Sequence, residues 1–187
     1  ETVGEHAANS VFLTDVWISD EYVVGEVNKG WTYICEALNY ERFTFYTIAP
    51  LEQKFKELRN LVDSLSRDGK PLNEISDIRK KIIHLGTDVE IAKVLQRKVL
   101  SIALQDEVPQ TESAIFKLFS TKLHQKLANN AMDILGREGL FRKEYKHAHA
   151  NGKWEWSYRS TLVDTIGAGT TEIQKNTIAK KALNLPL

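Results

Sequence analysis

From residue 34 onward the apolar positions fall into repeating stripes. Ile34, Leu38, Phe45, Ile48, Leu51, Phe55, Leu58, Val62 and Leu65 are separated by three, four or seven residues. Such spacing puts them on one helix face. Pro50 lies inside this run and predicts a kink or local break. "RDGKP" then ends the helix, with a glycine followed two residues later by a proline. A second stripe, Ile75, Ile78, Ile82, Leu85, Val89 and Ala92 with Val99 and Ala103 beyond, predicts a helix of about twenty-five to thirty residues. "DEVPQTES" interrupts it. Thr111 or Ser113 is the expected cap of a third helix that buries Phe116, Phe119, Leu123, Leu127, Ala131 and Ile134 and stops at Gly136 and Gly139. Residues 141–163 show no sustained period, and a final helix is expected from about Thr171 to Leu183. Ahead of all this, "SVFLTDVWI" (residues 10–18) is rich in β-branched and aromatic types and predicts a strand, followed by a turn-rich connector. Long helices with short links argue an all-α, up-down antiparallel four-helix bundle, preceded by that short strand.

Composition narrows the partners. Lys plus Arg and Asp plus Glu number 25 each among 187 residues, so no electrostatic case exists for nucleic acid or an anionic membrane surface. No apolar run approaches the roughly 18 residues needed to span a bilayer. Cys35 is the one cysteine and cannot form an internal disulfide, which points to an intracellular, cytoplasmic setting. His147 and His149 form an H-x-H pair without further ligands at helpful spacing, so no metal site is expected. Nucleophile elbows, phosphate loops and dinucleotide fingerprints are missing from the sequence.

One stretch remains, "DTIGAGTTEIQKN" at residues 164–176. Gly167 and Gly169 permit close approach of the backbone to a ligand or a neighbouring helix. Thr170 and Thr171 are good caps, and Thr171 with Gln174 has capping-box spacing. The amides at such a helix start can receive a phosphate or the polar edge of a ring. The same residues also describe an ordinary capped helix after a glycine turn.

"IGAGTTEIQKNTIAKKALNLP" resembles the C-terminal signature of the acyl-CoA dehydrogenase family, G-G/E-G-T-S-E/Q-I-Q-R-N-I-I-A followed by G-L-G-L-P. "FLTDVWISDEYVVGEVNKGWTYICEALNYERF" is similar to the family's crossing from its middle β-domain into its helical domain. "LANNAMDILGREGL" resembles the A-x-x-L-x-G-x-x-G segment that closes the third helix. The resemblance implies that residues 1–28 are the end of a middle β-domain with its connector, and residues 29–187 the C-terminal helical bundle. It implies FAD as cofactor, an acyl-CoA substrate oxidised to the trans-2-enoyl-CoA, and electron-transfer flavoprotein as acceptor. It also implies a homo-oligomer, dimer or tetramer, or a heteromeric assembly. Flavin contacts carry over onto Gly169, Thr170 and Glu172, and more weakly onto Gly136 and Gly139.

Two departures stand out. Many family members hold the catalytic glutamate between the two glycine positions, where this chain has Ala168, and a methyl group accepts no proton. Isovaleryl- and long-chain-type members instead place the glutamate before an arginine on the first helix of this domain. "NYERF" puts Glu41 at that place, either as the base or as a structural ion-pair residue. The family's R-x-x-F-G, whose arginine grips the diphosphate of the neighbouring subunit's FAD, is replaced by "SRDGKPLNEISDIRKK", where Arg67, Lys70 or Arg79 are the available cations. "DGKPL" with the glycine-threonine tail resembles bacterial members that pair unlike subunits, including those acting on steroid side-chain CoA esters. A non-catalytic partner subunit of such a pair, a plain helical interaction module, and an oxidase of the same family are the competing readings.

Overall fold

The computed structural model describes residues 3–4, 9–44 and 47–186. The described residues form six α-helices: α1 (Gly30–Thr44), α2 (Ile48–Ser64), α3 (Ser76–Ala103), α4 (Gln110–Leu135), α5 (Lys153–Asp164) and α6 (Thr171–Ala182). A two-stranded hairpin, β1 (Ser66–Arg67) and β2 (Lys70–Pro71), links α2 to α3. Its turn residues Asp68 and Gly69 both have positive φ, 51° and 76°, which suits a tight two-residue connection.

Helices α2 to α5 run up and down. Glu52 of α2 pairs with Lys93 of α3, while Asp63 meets Asn73 just ahead of α3. Lys98 pairs with Glu112 and Lys81 with Asp133, so α4 is antiparallel to α3. Gln125 and His124 meet Thr161 and Asp164 at the far end of α5, and Trp154 at its near end lies in the core with Ile134 and Leu135. Lys153 closes the ring onto Glu57 of α2. Inside lie Leu51, Leu58 and Val62 of α2, Leu85, Val89 and Ala92 of α3, and Leu123, Leu127, Ala131 and Ile134 of α4. α1 and α6 pack on α4, α1 through Phe43 against Phe116 and Val99.

Several expectations need correction. The segment 10–18 is not a strand: it carries no ladder, and Phe12 and Trp17 are more than four-fifths exposed. A strand is defined by pairing, and its composition cannot supply a partner that is not among the described residues. The long first helix is two helices, as Pro50 foreshadowed. The proline occupies the first turn of α2, where its missing amide costs nothing. Phe45 lies outside the described residues. α4 begins earlier than Thr111 or Ser113, directly after Pro109. Finally, the fourth bundle position belongs to α5, from the stretch without a period, and α6 flanks α4.

Candidate functional site

The turn between α5 and α6 is a closed loop. Thr171 N–H donates to Thr165 O at 3.0 Å, and the Ile166 and Gly167 amides donate to Val163 O at 2.9 Å each. Ala168 and Gly169 take positive φ, 54° and 87°. Thr170 is the cap of α6, and its Oγ1 accepts from Ile173 N–H at 3.3 Å. The expected pairing of Thr171 with Gln174 is therefore displaced by one residue at the cap. Gln174 is fully buried and folds back, its Nε2 donating to Ala168 O at 3.0 Å and Gly169 O at 3.2 Å. A β-carbon on residue 169 would sit 2.6 Å from that nitrogen. Lys117, buried in the third turn of α4, donates from Nζ to Gly169 O at 2.7 Å.

Both carbonyls of the turn thus point inward, towards α4 and Gln174. Peptides are planar and, here, trans, so the N–H of the following residue points the opposite way. The Gly169 and Thr170 amides consequently face outward, and neither has an acceptor among the described residues. The other amides of the helix start are committed: Thr171 to Thr165, Ile173 to the Thr170 hydroxyl, Gln174 to Thr170 O. The Glu172 carboxyl is held below the ordinary range by its own backbone amide and by the Thr170 hydroxyl. The site offers two adjacent donors, Gly169 and Thr170, with the acidic Glu172 beside them. It is not the open ring of amides expected at a bare helix N-terminus.

Charges gather beneath the turn. Asp164, the last residue of α5, is 3.2 Å from His124 Nδ1 and stabilises the ammonium groups of Lys54 and Lys117. Burial pushes both lysines below the usual amine range, and the Asp164 carboxylate opposes that shift. On the α1 side, Arg42 is close enough to disfavour the Lys117 charge and donates to Asn39 Oδ1 at 2.6 Å. Glu41, its neighbour, is half-buried. Its carboxylate lends electrostatic support to Arg42 but forms no ion pair among the described residues. Arg42 Nε, Ser113 Oγ and Gln174 Oε1 are buried polar atoms without a partner in the described chain. Ser113 lies one turn before Lys117, and Gln174 shares the Gly169 carbonyl with it.

Gly136 and Gly139 lie elsewhere. They follow the far end of α4, about 28 Å from Lys117 at about 1.5 Å per residue. Gly136, with φ 58° and ψ −132°, adopts a conformation reserved for glycine, and the space where its β-carbon would be is open. It lines a cleft with Leu65, Arg67, Leu72, Ile134 and Arg137. Arg67 reaches across that cleft to donate to Ile134 O at 2.5 Å. Of the three cations noted in the hairpin region, Arg67 is the one placed beside Gly136. His149 is tied to Glu138 at 2.5 Å, and no group of three His, Cys, Asp or Glu gathers among the described residues. No described helix is long and apolar enough to cross a membrane.

The sequence reading passed over Lys117. Its position among buried Phe116, Ser120 and Thr121 is the signal, a cation on the inward face of a core helix.

Comparison with known proteins gives the same direction. The C-terminal domain model of acyl-CoA dehydrogenases matches residues 28–183. Acyl-CoA dehydrogenase FadE26 of Mycobacterium tuberculosis is 26% identical over 182 residues, 95% of this chain and 46% of that protein. The mitochondrial long-chain specific acyl-CoA dehydrogenase of Rattus norvegicus is 26% identical over 176 residues, 93% of this chain and 39% of the relative. Among solved structures, the ChsE4–ChsE5 complex from Mycobacterium tuberculosis aligns with a TM-score of 0.76 and 26% identity over 87% of this chain and 42% of that one. The chain therefore spans less than half the length of these relatives. The chain belongs to the acyl-CoA dehydrogenase family, residues 28–183 matching that family's C-terminal domain.

Proposed function

We propose that this chain is the flavin-binding and oligomerisation domain of an FAD-dependent acyl-CoA dehydrogenase, with Glu41 as the base. Residues 1–28 are then the end of a preceding β-domain with its connector, whose partner strands would cover Phe12 and Trp17. The observation that carries the reading is convergence: the "NYERF" segment of α1 packs through Phe43 on Phe116, and the next residue, Lys117, holds the glycine turn before α6. A flavin fits the turn by its polar edge, through the outward Gly169 and Thr170 amides and the Glu172 carboxylate. Gly136, Gly139 and Arg67 are some 28 Å away along α4. We assign them to the cofactor of a neighbouring subunit, so the oligomer completes both sites.

FAD, when bound, supplies the acceptor for the hydride that leaves the β-carbon of the acyl chain. The chain's own part is proton removal. Glu41 takes the proton from the α-carbon, which the thioester acidifies, and the pair of events leaves a trans-2,3 double bond. Electron-transfer flavoprotein would be the partner that accepts the electrons. Glu41 suits this role because its carboxylate is not locked in an ion pair among the described residues. Kinship with a long-chain specific enzyme supports the same choice.

A second reading has its own observation. Ala168 occupies the alternative base position, and the ChsE4–ChsE5 relative is a complex of two different chains. This chain could then serve as the non-catalytic partner in a heteromeric enzyme. Purifying the full-length protein alone and with a candidate partner, and measuring flavin per chain with its reduction by acyl-CoA, separates the two. Flavin reduction by the protein alone, lost in Glu41→Gln, supports the first reading; reduction that appears only with the partner and persists in Glu41→Gln supports the second.

A further inference from the structure

Lys117 is a charge in a place where the bundle needs only volume. Its side chain is fully buried beside Phe116, with Ser120 and Thr121 turned onto its own helix carbonyl at 3.2 and 2.9 Å. A methionine of similar length would fill that space without desolvating an ammonium group, which is costly unless a partner compensates. The compensation is directed: Nζ donates to Gly169 O at 2.7 Å, a charge-assisted bond to a residue 52 positions along the chain. Asp164 supplies the counter-charge at the end of α5. Gln174 doubles the restraint on the same carbonyl and on that of Ala168.

The geometry points to Lys117 as a positioning residue: by holding the Gly169 carbonyl inward, its ammonium fixes the outward pose of the Thr170 amide, as Gln174 on the Ala168 carbonyl does for the Gly169 amide, and ties the turn to α4. This rests on the function proposed above, in which that turn meets the cofactor and α1 carries the base. Lys117 touches neither; it acts through the backbone of residues 168–170. The clamp is a feature of this chain and exists whatever reaction it serves.

The test uses the full-length protein with Lys117→Met, which keeps volume and removes charge, and Gln174→Leu, which removes the second donor without affecting a buried charge. Amide hydrogen exchange over residues 165–173 is followed by mass spectrometry. Anaerobic flavin reduction is followed with a series from butyryl-CoA to palmitoyl-CoA. In both variants exchange of the turn is expected to rise about tenfold while that of α3 and mid-α4 stays within twofold. The flavin reduction rate at saturating acyl-CoA is expected to fall about ten- to a hundredfold, with the half-saturating concentration nearly unchanged, as small misplacements do. Unchanged exchange and reduction in Lys117→Met would overturn the proposal. So would loosening of α3 and α4 together with the turn, because Lys117 would then be a core residue only. If the turn loosens but the unaltered protein reduces no flavin with any of these esters, the clamp stands and the assigned reaction fails.

Discussion

Ala168 sits at φ 54°, a left-handed conformation that costs a residue with a β-carbon about 1 kcal/mol. Ala168→Gly is therefore expected to stabilise the fold slightly, by about 0.5 kcal/mol after the entropy of the added glycine, measured as a rise in thermal midpoint. Ala168→Glu tests chemistry at the same place. In the full-length protein Glu41→Gln should keep the fold and flavin content and slow α-proton abstraction by about 10²–10⁴-fold. Adding Ala168→Glu to that variant should restore part of the rate, as read by flavin reduction. Glu155 is a different kind of residue. Buried in α5, it accepts from Arg159 Nε at 2.7 Å and Nη2 at 2.9 Å, and Arg142 Nε lies 3.4 Å away. The Arg159 hydrogen bonds hold its carboxyl below the usual range. A lowered folded-state pKa adds stability that is present above the unfolded value, about 4.3, and is lost as pH falls through the folded value. Glu155→Gln should thus lower the thermal midpoint near neutral pH, equivalent to about 2 kcal/mol, and the gap to the unaltered protein should begin to narrow below the unfolded value of about 4.3 and close as pH falls through the lower folded value.

At the scale of elements, α5 depends on its first turn. Gly152, at φ 70°, has no room for a β-carbon: backbone atoms of Lys143 and Arg142 lie 2.5 and 2.7 Å from where it would be. Gly152→Ala should cost more than about 2 kcal/mol, and Trp154→Ala about 3–5 kcal/mol, since Trp154 is 1% exposed in the core. Urea unfolding monitored by circular dichroism measures both. The same helix shows where sequence reading stops. α3 was legible because Ile78, Leu85, Val89, Ala92 and Val99 are apolar at helical spacing. α5 buries Trp154, Glu155, Ser157 and Thr161, and a mostly polar buried face leaves no hydrophobic period. The hairpin was overlooked although Asp68-Gly69 is a strong local turn signal, because "RDGKP" also reads as a helix stop. The glycine turn was legible through family motifs, and Glu41 is a candidate base on the same motifs alone. Lys117 was not, because its partner is a backbone carbonyl far along the chain that only the packing of α4 against α6 brings near.

The whole molecule carries more apolar surface than one folded chain covers. Ile83, Ile91 and Val94 of α3 are 62%, 42% and 62% exposed, and Trp156, Leu162, Val163 and Ile166 around α5 are about half-exposed or more. Surface of that extent is expected to be buried against other subunits. Light scattering of the full-length protein at micromolar concentration should report a dimer or tetramer, and a clean monomer would count against the division of the two glycine sites between subunits. The separation of Gly136 from Lys117 beneath the turn, about 28 Å along α4, is the geometric basis of that division. The most direct measurement is anaerobic mixing of the full-length protein with the acyl-CoA series, following the oxidised flavin band, for the unaltered chain and for Glu41→Gln. Bound FAD is expected in both proteins, with rapid bleaching in the first and bleaching slowed at least a hundredfold in the second. Equal bleaching in the two would contradict Glu41 as the base, and absence of flavin from the full-length protein, alone and with its partner, would contradict the flavin-binding role itself.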